Sequence, residues 1–271
     1  MKVFISADIE GVGGVMARTH WHPDGADYKK ACGWMLQEVN AAVEGALQAG
    51  AKTVIVRDAH NTATNLDLND LHPAAELLSG WGPLGSMVEG VDETFDAVFL
   101  VGYHPRVGTQ GGTLAHTWSA NVLNLSVNDK TCGETGWAAM YAGHFNVPIA
   151  LVTGDDKLSE QVASELPAGV HTVITKFGST YNAARMRPLQ TVRDEIRQTA
   201  ARALSNAGTI APLKIEYPVK LTIRFREWEM IHVCEAMPGV QRLDAHTFQC
   251  QPADIIEAQK YFVTLHRLSR S

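Results

Sequence analysis

Asp8 and Glu10 stand two residues apart, where the β-rich run Lys2 to Ala7 gives way to the glycine-rich turn Gly11 to Gly14. In an extended chain residues two apart point to the same side, so two carboxylates share one spot, and their repulsion is costly unless a cation neutralises them. Hard oxygen ligands placed in this way suit a divalent metal, although the pair alone reads equally well as two loop acids at a strand end. Arg57-Asp58-Ala59-His60 closes a second β-rich run and Gly102-Tyr103-His104 a third. In open α/β sheets ligands bind in the crevice beyond the carboxyl ends of strands, so three such strands would deliver Asp8, Glu10, His60 and His104 to one edge. A lone histidine is more often a satisfied polar residue than a ligand, and His20, His22, His72, His144, His171, His232, His246 and His266 are read that way. That reading weakens for His60 and His104, because imidazole is a favoured zinc ligand and both follow buried-strand patterns. Glu134 opens a helix in Cys132-Gly133-Glu134-Thr135-Gly136-Trp137, where the helix dipole favours an acid in the first turn without any further role. His116, in Leu114 to Ser119, is also open to a structural reading, and Asp155 and Asp156 read as the N-cap and first-turn acid of a helix beginning near Lys157.

These residues need a frame to bring them together. A long helical pattern runs from about Tyr28 to Gln48 and stops at Gly50. Further β-rich runs cover Thr53 to Arg57, Ala97 to Val101 and Pro148 to Thr153, with a helical segment from Glu134 before the last. Strands alternating with helices predict an α/β fold, a mostly parallel sheet flanked by helices. Thr113 to Val127 reads as extra extended structure inserted in this pattern, and a helix is expected over about Thr191 to Leu204. Asn206 to Pro212 forms a linker, which divides the chain into an α/β metal-binding catalytic domain (1–206) and a smaller C-terminal α+β part (213–271). In the latter, Leu213 to Phe225 alternates apolar and polar residues as a half-buried strand does, and Pro218 places it at an edge or breaks it there. Glu227 to Ala236 and Pro252 to Leu268 read as helices.

Composition narrows the classes. A chain of 271 residues with 45% hydrophobic and 19% charged residues can bury a substantial core and is expected to fold throughout. A formal net charge of -6, with no run of Lys and Arg, gives little attraction to nucleic acid or to an anionic bilayer, so neither is expected as a partner. Four scattered cysteines without a CxxC pair suit reduced thiols, and the residues from Met1 to Glu10 lack the hydrophobic region of a signal peptide. The expected localisation is cytoplasmic.

The segments SADIEGVGG (Ser6 to Gly14), DAH (Asp58 to His60), GYH (Gly102 to His104), LAHTWS (Leu114 to Ser119), GETG (Gly133 to Gly136) and VPIALVTGDD (Val147 to Asp156) follow one another in an order and approximate spacing that resemble the M55, or DppA-like, D-aminopeptidases. The resemblance covers roughly the first three-fifths of the chain, and it is the ordered set that makes it specific. It implies a dinuclear zinc site, two ions per subunit, with ligands at Asp8, Glu10, His60, His104 and Glu134, and His116 as the catalytic histidine beside the metals. It further implies an aminopeptidase acting on short peptides with a free N-terminus, and a ring-shaped homo-oligomer, a homodecamer being one such ring. Two segments depart from the family pattern: Asn61 stands where glycine is common after DAH, and Ser179 to Arg185 differs after Lys176 and Gly178. Both are candidate borders of the substrate, so the preference for D-residues is the part of the resemblance they bear on.

Three competing readings share these residues. The same site could serve a metal-dependent amidase or an L-aminopeptidase. Cys132 could be a nucleophile activated by His104 or His116, which leaves Asp8 and Glu10 without a role. The turn from Glu10 to Gly14 could bind a phosphate or nucleotide, but its glycines do not fit GxGxxG and two acids before it would repel the ligand.

Overall fold

The computed structural model describes residues 1–227 and 231–269. The chain runs β1 (Lys2–Ala7), α1 (Arg18–Trp21), α2 (Tyr28–Gln48), β2 (Thr53–Asp58), β3 (Ala75–Leu78) and β4 (Ala97–Val101). It continues through β5 (Val122–Val127), β6 (Lys130–Thr131), α3 (Glu134–His144), β7 (Ile149–Asp155), α4 (Asp156–Glu165), β8 (His171–Thr180), β9 (Ala183–Met186) and α5 (Leu189–Asn206). Last come β10 (Leu221–Phe225), β11 (Gln241–Arg242), β12 (Thr247–Cys250) and α6 (Ile255–Leu268), with short 3-10 turns at Ala207–Thr209 and Ile231–Ala236.

The main sheet has the order β3-β2-β1-β4-β7-β8-β9, parallel except for the antiparallel hairpin of β8 and β9. The central strands are apolar without alternation, as in Val3-Phe4-Ile5 and Ala97 to Val101, because helices cover both faces. On one face α2 and α5 pack Met35, Val39, Val43, Ile196 and Ala200 against Val3, Ile5 and Phe99. On the other, α3 and α4 pack Ala138, Ala142, Leu158 and Val162 against Phe4, Val98 and Leu100. Helix α3 is buried all round, since Trp137 and Met140 on its far side enter a second core with Ile223, Phe248 and Phe262. A helix apolar on every side needs such a two-sided shelter.

That second core lies under a five-stranded sheet of order β11-β12-β10-β5-β6. It draws β5 and β6 from residues 122–131 and the rest from beyond residue 220, so strands of both sequence segments share one sheet. The expected strand from Leu213 to Phe225 breaks: only Leu221 to Phe225 pairs, and β10 lies inside the sheet between β12 and β5. Pro218 lacks an amide donor for a ladder, and the preceding residues lie along α3 instead, where Lys214 Nζ donates to the Gly143 carbonyl at 2.8 Å. Of the inserted Thr113 to Val127 stretch only Val122–Val127 is a strand; before it Leu114 and Trp118 take left-handed backbone conformations, φ 50° and 60°. The helix expected over Glu227 to Ala236 is a 3-10 turn over Ile231–Ala236, residues 228–230 lying outside the described residues. The helix expected from Pro252 starts at Ile255, because Asp254 caps it by accepting the Glu257 amide at 2.8 Å.

Candidate metal centre

Strand order reverses at β1: β2 and β3 lie to one side, β4, β7 and β8 to the other. Crevices form beyond the carboxyl ends of strands at such a point, and Asp8 and Glu10 follow β1, His60 follows β2 and His104 follows β4. The chain can turn so sharply there because Gly11 has no side chain; a Cβ would lie 1.8 Å from the Tyr103 carbonyl oxygen. Glu134 is the first residue of α3, which points it at the same spot.

The five side chains meet in one buried cluster. His60 Nδ1 lies 3.1 Å from Asp8 Oδ1 and 3.3 Å from Glu10 Oε2. His104 Nε2 lies 3.5 Å from Asp8 Oδ2 and 3.3 Å from Glu134 Oε2. Each imidazole is fixed by a bond from its other nitrogen: His60 Nε2 donates to the Trp21 carbonyl at 2.7 Å, and His104 Nδ1 to the Pro105 carbonyl at 3.0 Å. A carbonyl can only accept, so the proton of a neutral ring sits on that nitrogen and the lone pair of the other faces the carboxylates, as a metal-ligating histidine requires. Glu10 Oε2 and His104 Nε2 are buried without a hydrogen-bond partner. Ordinary hydrogen bonding leaves such atoms unexplained, whereas an inward ring of carboxylate oxygens and imidazole nitrogens fits a zinc-like cation.

The electrostatics carry the same message. Burial, then Glu10, raises Asp8 to about 7. Burial opposes ionisation of Glu10 and Glu134 as well, but His60 beside the one and His104 beside the other hold both below the usual carboxylate range. Burial likewise disfavours the imidazolium of His104, yet Glu134 and then Asp8 raise it to about 10. These charges persist only by leaning on one another.

His116 stacks on His104, ring centroids 4.0 Å apart and planes within 8°, with Nε2 4.0 Å from Glu134 Oε1. Its Nδ1 donates to the Leu114 carbonyl at 2.8 Å. Two residues with left-handed backbone, Leu114 and Trp118, flank it, and the Trp118 amide donates to Glu134 Oε1 at 2.6 Å. Backbone held in this sparsely populated region costs of order 1–3 kcal/mol per residue and persists where the surroundings fix it, here by the Leu114 amide bonding the Tyr181 carbonyl as well. Asp155 caps α4 by accepting the Leu158 amide at 2.8 Å and also binds Thr113, so it is structural, as its place in the sequence suggests.

A cavity of about 800 Å³ opens on the cluster; Asp8, Glu10, His60, His116 and Glu134 reach it, while His104 lies behind His116. Asn61 and Tyr181, from the two divergent segments, are also on its wall. Asn61 has φ 47°, and asparagine is the residue other than glycine that takes this conformation most readily, so the substitution keeps the turn that orients His60. Sequence reasoning missed the rest of the wall, including Trp21, Trp81, Arg226 and Arg267, because these residues share neither a motif nor a period.

Cys132 is off the cavity, and burial, then Glu165, pushes its thiol up to about 12, which leaves no thiolate for attack. A phosphate-binding turn at Glu10 to Gly14 is equally unsupported. The Gly11 amide is taken by the Gly102 carbonyl at 2.7 Å and the Gly13 amide by Glu38 at 2.8 Å, so neither can reach an anion.

A family model described as peptidase M55, D-aminopeptidase, matches residues 1–264. A D-aminopeptidase of Bacillus subtilis (strain 168) is 32% identical over 271 residues, 99% of this chain and 98% of that protein. The solved structure of a Zn-dependent D-aminopeptidase, DppA from Bacillus subtilis, described as a self-compartmentalizing protease, superposes with a TM-score of 0.95 at 31% identity, over 100% of this chain and 98% of the other.

Proposed function

Because this chain belongs to the M55 family of D-aminopeptidases, we propose that it removes N-terminal residues from short peptides of D-amino acids at a centre of two zinc ions. It is a zinc-dependent hydrolase acting on peptide bonds. Asp8, Glu10, His60, His104 and Glu134 would hold the ions. The observation that carries this reading is the double facing of Asp8, whose Oδ1 meets His60 beside Glu10 and whose Oδ2 meets His104 beside Glu134. One carboxylate thus faces two groups of donors and would be shared between them.

When bound, zinc supplies Lewis-acid polarisation of the scissile carbonyl and lowers the pKa of the attacking water. The remaining work falls to side chains. His116, tied by Nδ1 to Leu114, keeps its Nε2 lone pair towards the cavity. The ring can take up a proton there and pass it to the leaving amine, and in its protonated form it donates to the oxygen that gains charge. Burial, then His104, lowers its pKa, which favours the neutral, proton-accepting form at the start. The acids around the centre give the free amine of the peptide its counter-charge. Residues 1–206 carry this chemistry and 213–271 form the smaller part. In our reading the protein is a ring-shaped homo-oligomer, a decamer, working in the cytoplasm; the self-compartmentalizing description of the Bacillus subtilis structure supports assembly of several chains. No helix among the described residues is long and apolar enough to cross a membrane.

Elemental analysis of the purified protein should find two zinc ions per chain. Matched D- and L-aminoacyl dipeptides, free and N-acetylated, assayed before and after chelation, should show hydrolysis only of the free D-peptides and only with metal. Full activity in chelator would remove the metal reading, and equal turnover of acetylated peptides would make the enzyme an amidase.

A further inference from the structure

The two walls of the 800 Å³ cavity differ in origin and in charge. The acids Asp8, Glu10 and Glu134 come from the strand ends and helix start of the first half of the chain. Another part of the wall comes from the C-terminal segment: Arg226 just after β10, and Val263, His266 and Arg267 on α6. Among the described residues neither the Arg226 nor the Arg267 guanidinium forms a hydrogen bond or an ion pair, although the chain carries more acids than bases. Helix-dipole compensation accounts for a cation in the last turn of α6, but not for Arg226, which is on no helix.

The two groups of residues are linked through bonds. Glu134 Oε1 accepts from the Trp118 amide at 2.6 Å, and the next residue, Ser119, holds His266 Nε2 at 2.8 Å through its hydroxyl. One peptide step and two hydrogen bonds therefore lead from a carboxylate of the metal centre to the helix turn that bears Arg267. Extended chain spans roughly 3.3–3.6 Å per residue, so the two ends of a short peptide can lie on different parts of one cavity wall. Arg267 extends along the cavity wall: its Nη2 lies 3.9 Å from where a Cβ on Gly85 would be, and Gly85 is itself on that wall. A guanidinium presents a planar fork of donors that matches a carboxylate in a way no neutral group does.

We infer that Arg226 and Arg267 form a carboxylate subsite, which holds the C-terminus of a short peptide while its amino end lies at the acids of the metal centre. The inference rests on the aminopeptidase reading and adds to it: the enzyme reads both ends of its substrate, and the C-terminal segment is what sets the length it accepts. Longer peptides and peptide amides then lose the far contact while keeping the near one.

The test uses the zinc-loaded protein with D-alanyl-glycine and D-alanyl-glycinamide. Wild type should favour the free acid by roughly 10- to 100-fold in kcat/KM, the range that a hydrogen-bonded charge provides, with most of the difference in KM. In the double variant Arg226→Gln, Arg267→Gln that preference should fall to within about threefold of unity, with zinc content and Tm close to wild type. Added salt should shrink the wild-type preference and leave the variant's ratio in place. Equal use of acid and amide by wild type, or a double variant that retains the preference, overturns the subsite. Hydrolysis of neither compound by the zinc-loaded wild type is a different failure: it overturns the aminopeptidase reading, and the subsite with it.

Discussion

Replacing His116 distinguishes a role in catalysis from one in metal binding. Its ring stacks on His104 and its Nε2 stands 4.0 Å from Glu134, near enough to the five-residue cluster to act on whatever is bound there. General acid-base assistance typically contributes about 10²- to 10⁴-fold, so His116→Ala should lower kcat by roughly that range while zinc content stays near wild type. Measuring kcat, zinc and Tm on one preparation discriminates the outcomes. A lower Tm with turnover intact would make the ring a packing element against Trp118. Loss of one zinc together with activity would make it a ligand, an arrangement that the closeness of His104, His116 and Glu134 also permits.

At the scale of elements, β8 props up the turn after β1. Lys176, fully buried on β8, donates to the carbonyls of Glu10 at 2.5 Å, Val12 at 3.0 Å and Val15 at 2.7 Å, and Thr175 Oγ1 donates to the Gly11 carbonyl. The ammonium thus fixes the backbone that carries two of the five cluster residues. Groups that orient ligands typically contribute 10- to 100-fold to metal affinity, so Lys176→Met should weaken zinc binding by about that factor in a chelator competition. It should also lower Tm, because three buried carbonyls lose their donor. Unchanged zinc affinity would mean that the turn holds its shape unaided.

Glu38 on α2 grips the same turn through the Gly13 amide, and burial raises its carboxyl from an ordinary 4.5 to about 7. The folded state then binds this proton more tightly than the unfolded state does. Its contribution to stability is fully present below pH 4.5, declines as pH rises towards 7 and stays lost above, a change on the order of 3 kcal/mol. Glu38→Gln cannot ionise. On metal-free protein, where zinc release does not enter, its stability relative to wild type should rise between pH 4.5 and 7 and level off beyond. A difference independent of pH would place the Glu38 carboxyl in the ordinary range.

For the whole molecule, the second sheet couples the two sequence segments. β5 and β6 join β10 and β12, and α3 is shared between both cores, so the cationic wall of the cavity is anchored to the same helix that begins with Glu134. A ring-shaped homo-oligomer should appear in light scattering as a single species of many chains, whose mass is independent of dilution over the assay range. A monomer at those concentrations would end that part of the proposal.

The sequence by itself determined the parallel α/β frame, because buried strands and amphipathic helices declare themselves through local pattern: α2 runs over Tyr28–Gln48 as its periodicity predicts. It also pointed to Asp8, Glu10, His60 and His104, since each ends a legible strand and strand ends in such a sheet converge. Glu134 and His116 carried no local signal of their own and entered through the resemblance of their segments to a family. Only the tertiary structure decided the rest. It broke the Leu213 to Phe225 strand, because pairing depends on a partner ladder that alternation does not reveal, and it set Lys176 beneath a turn more than 160 residues earlier. It also set Arg226 and Arg267 on one cavity with Asp8, a relation that arises when segments far apart in the chain close around one space, where no spacing along the sequence records it.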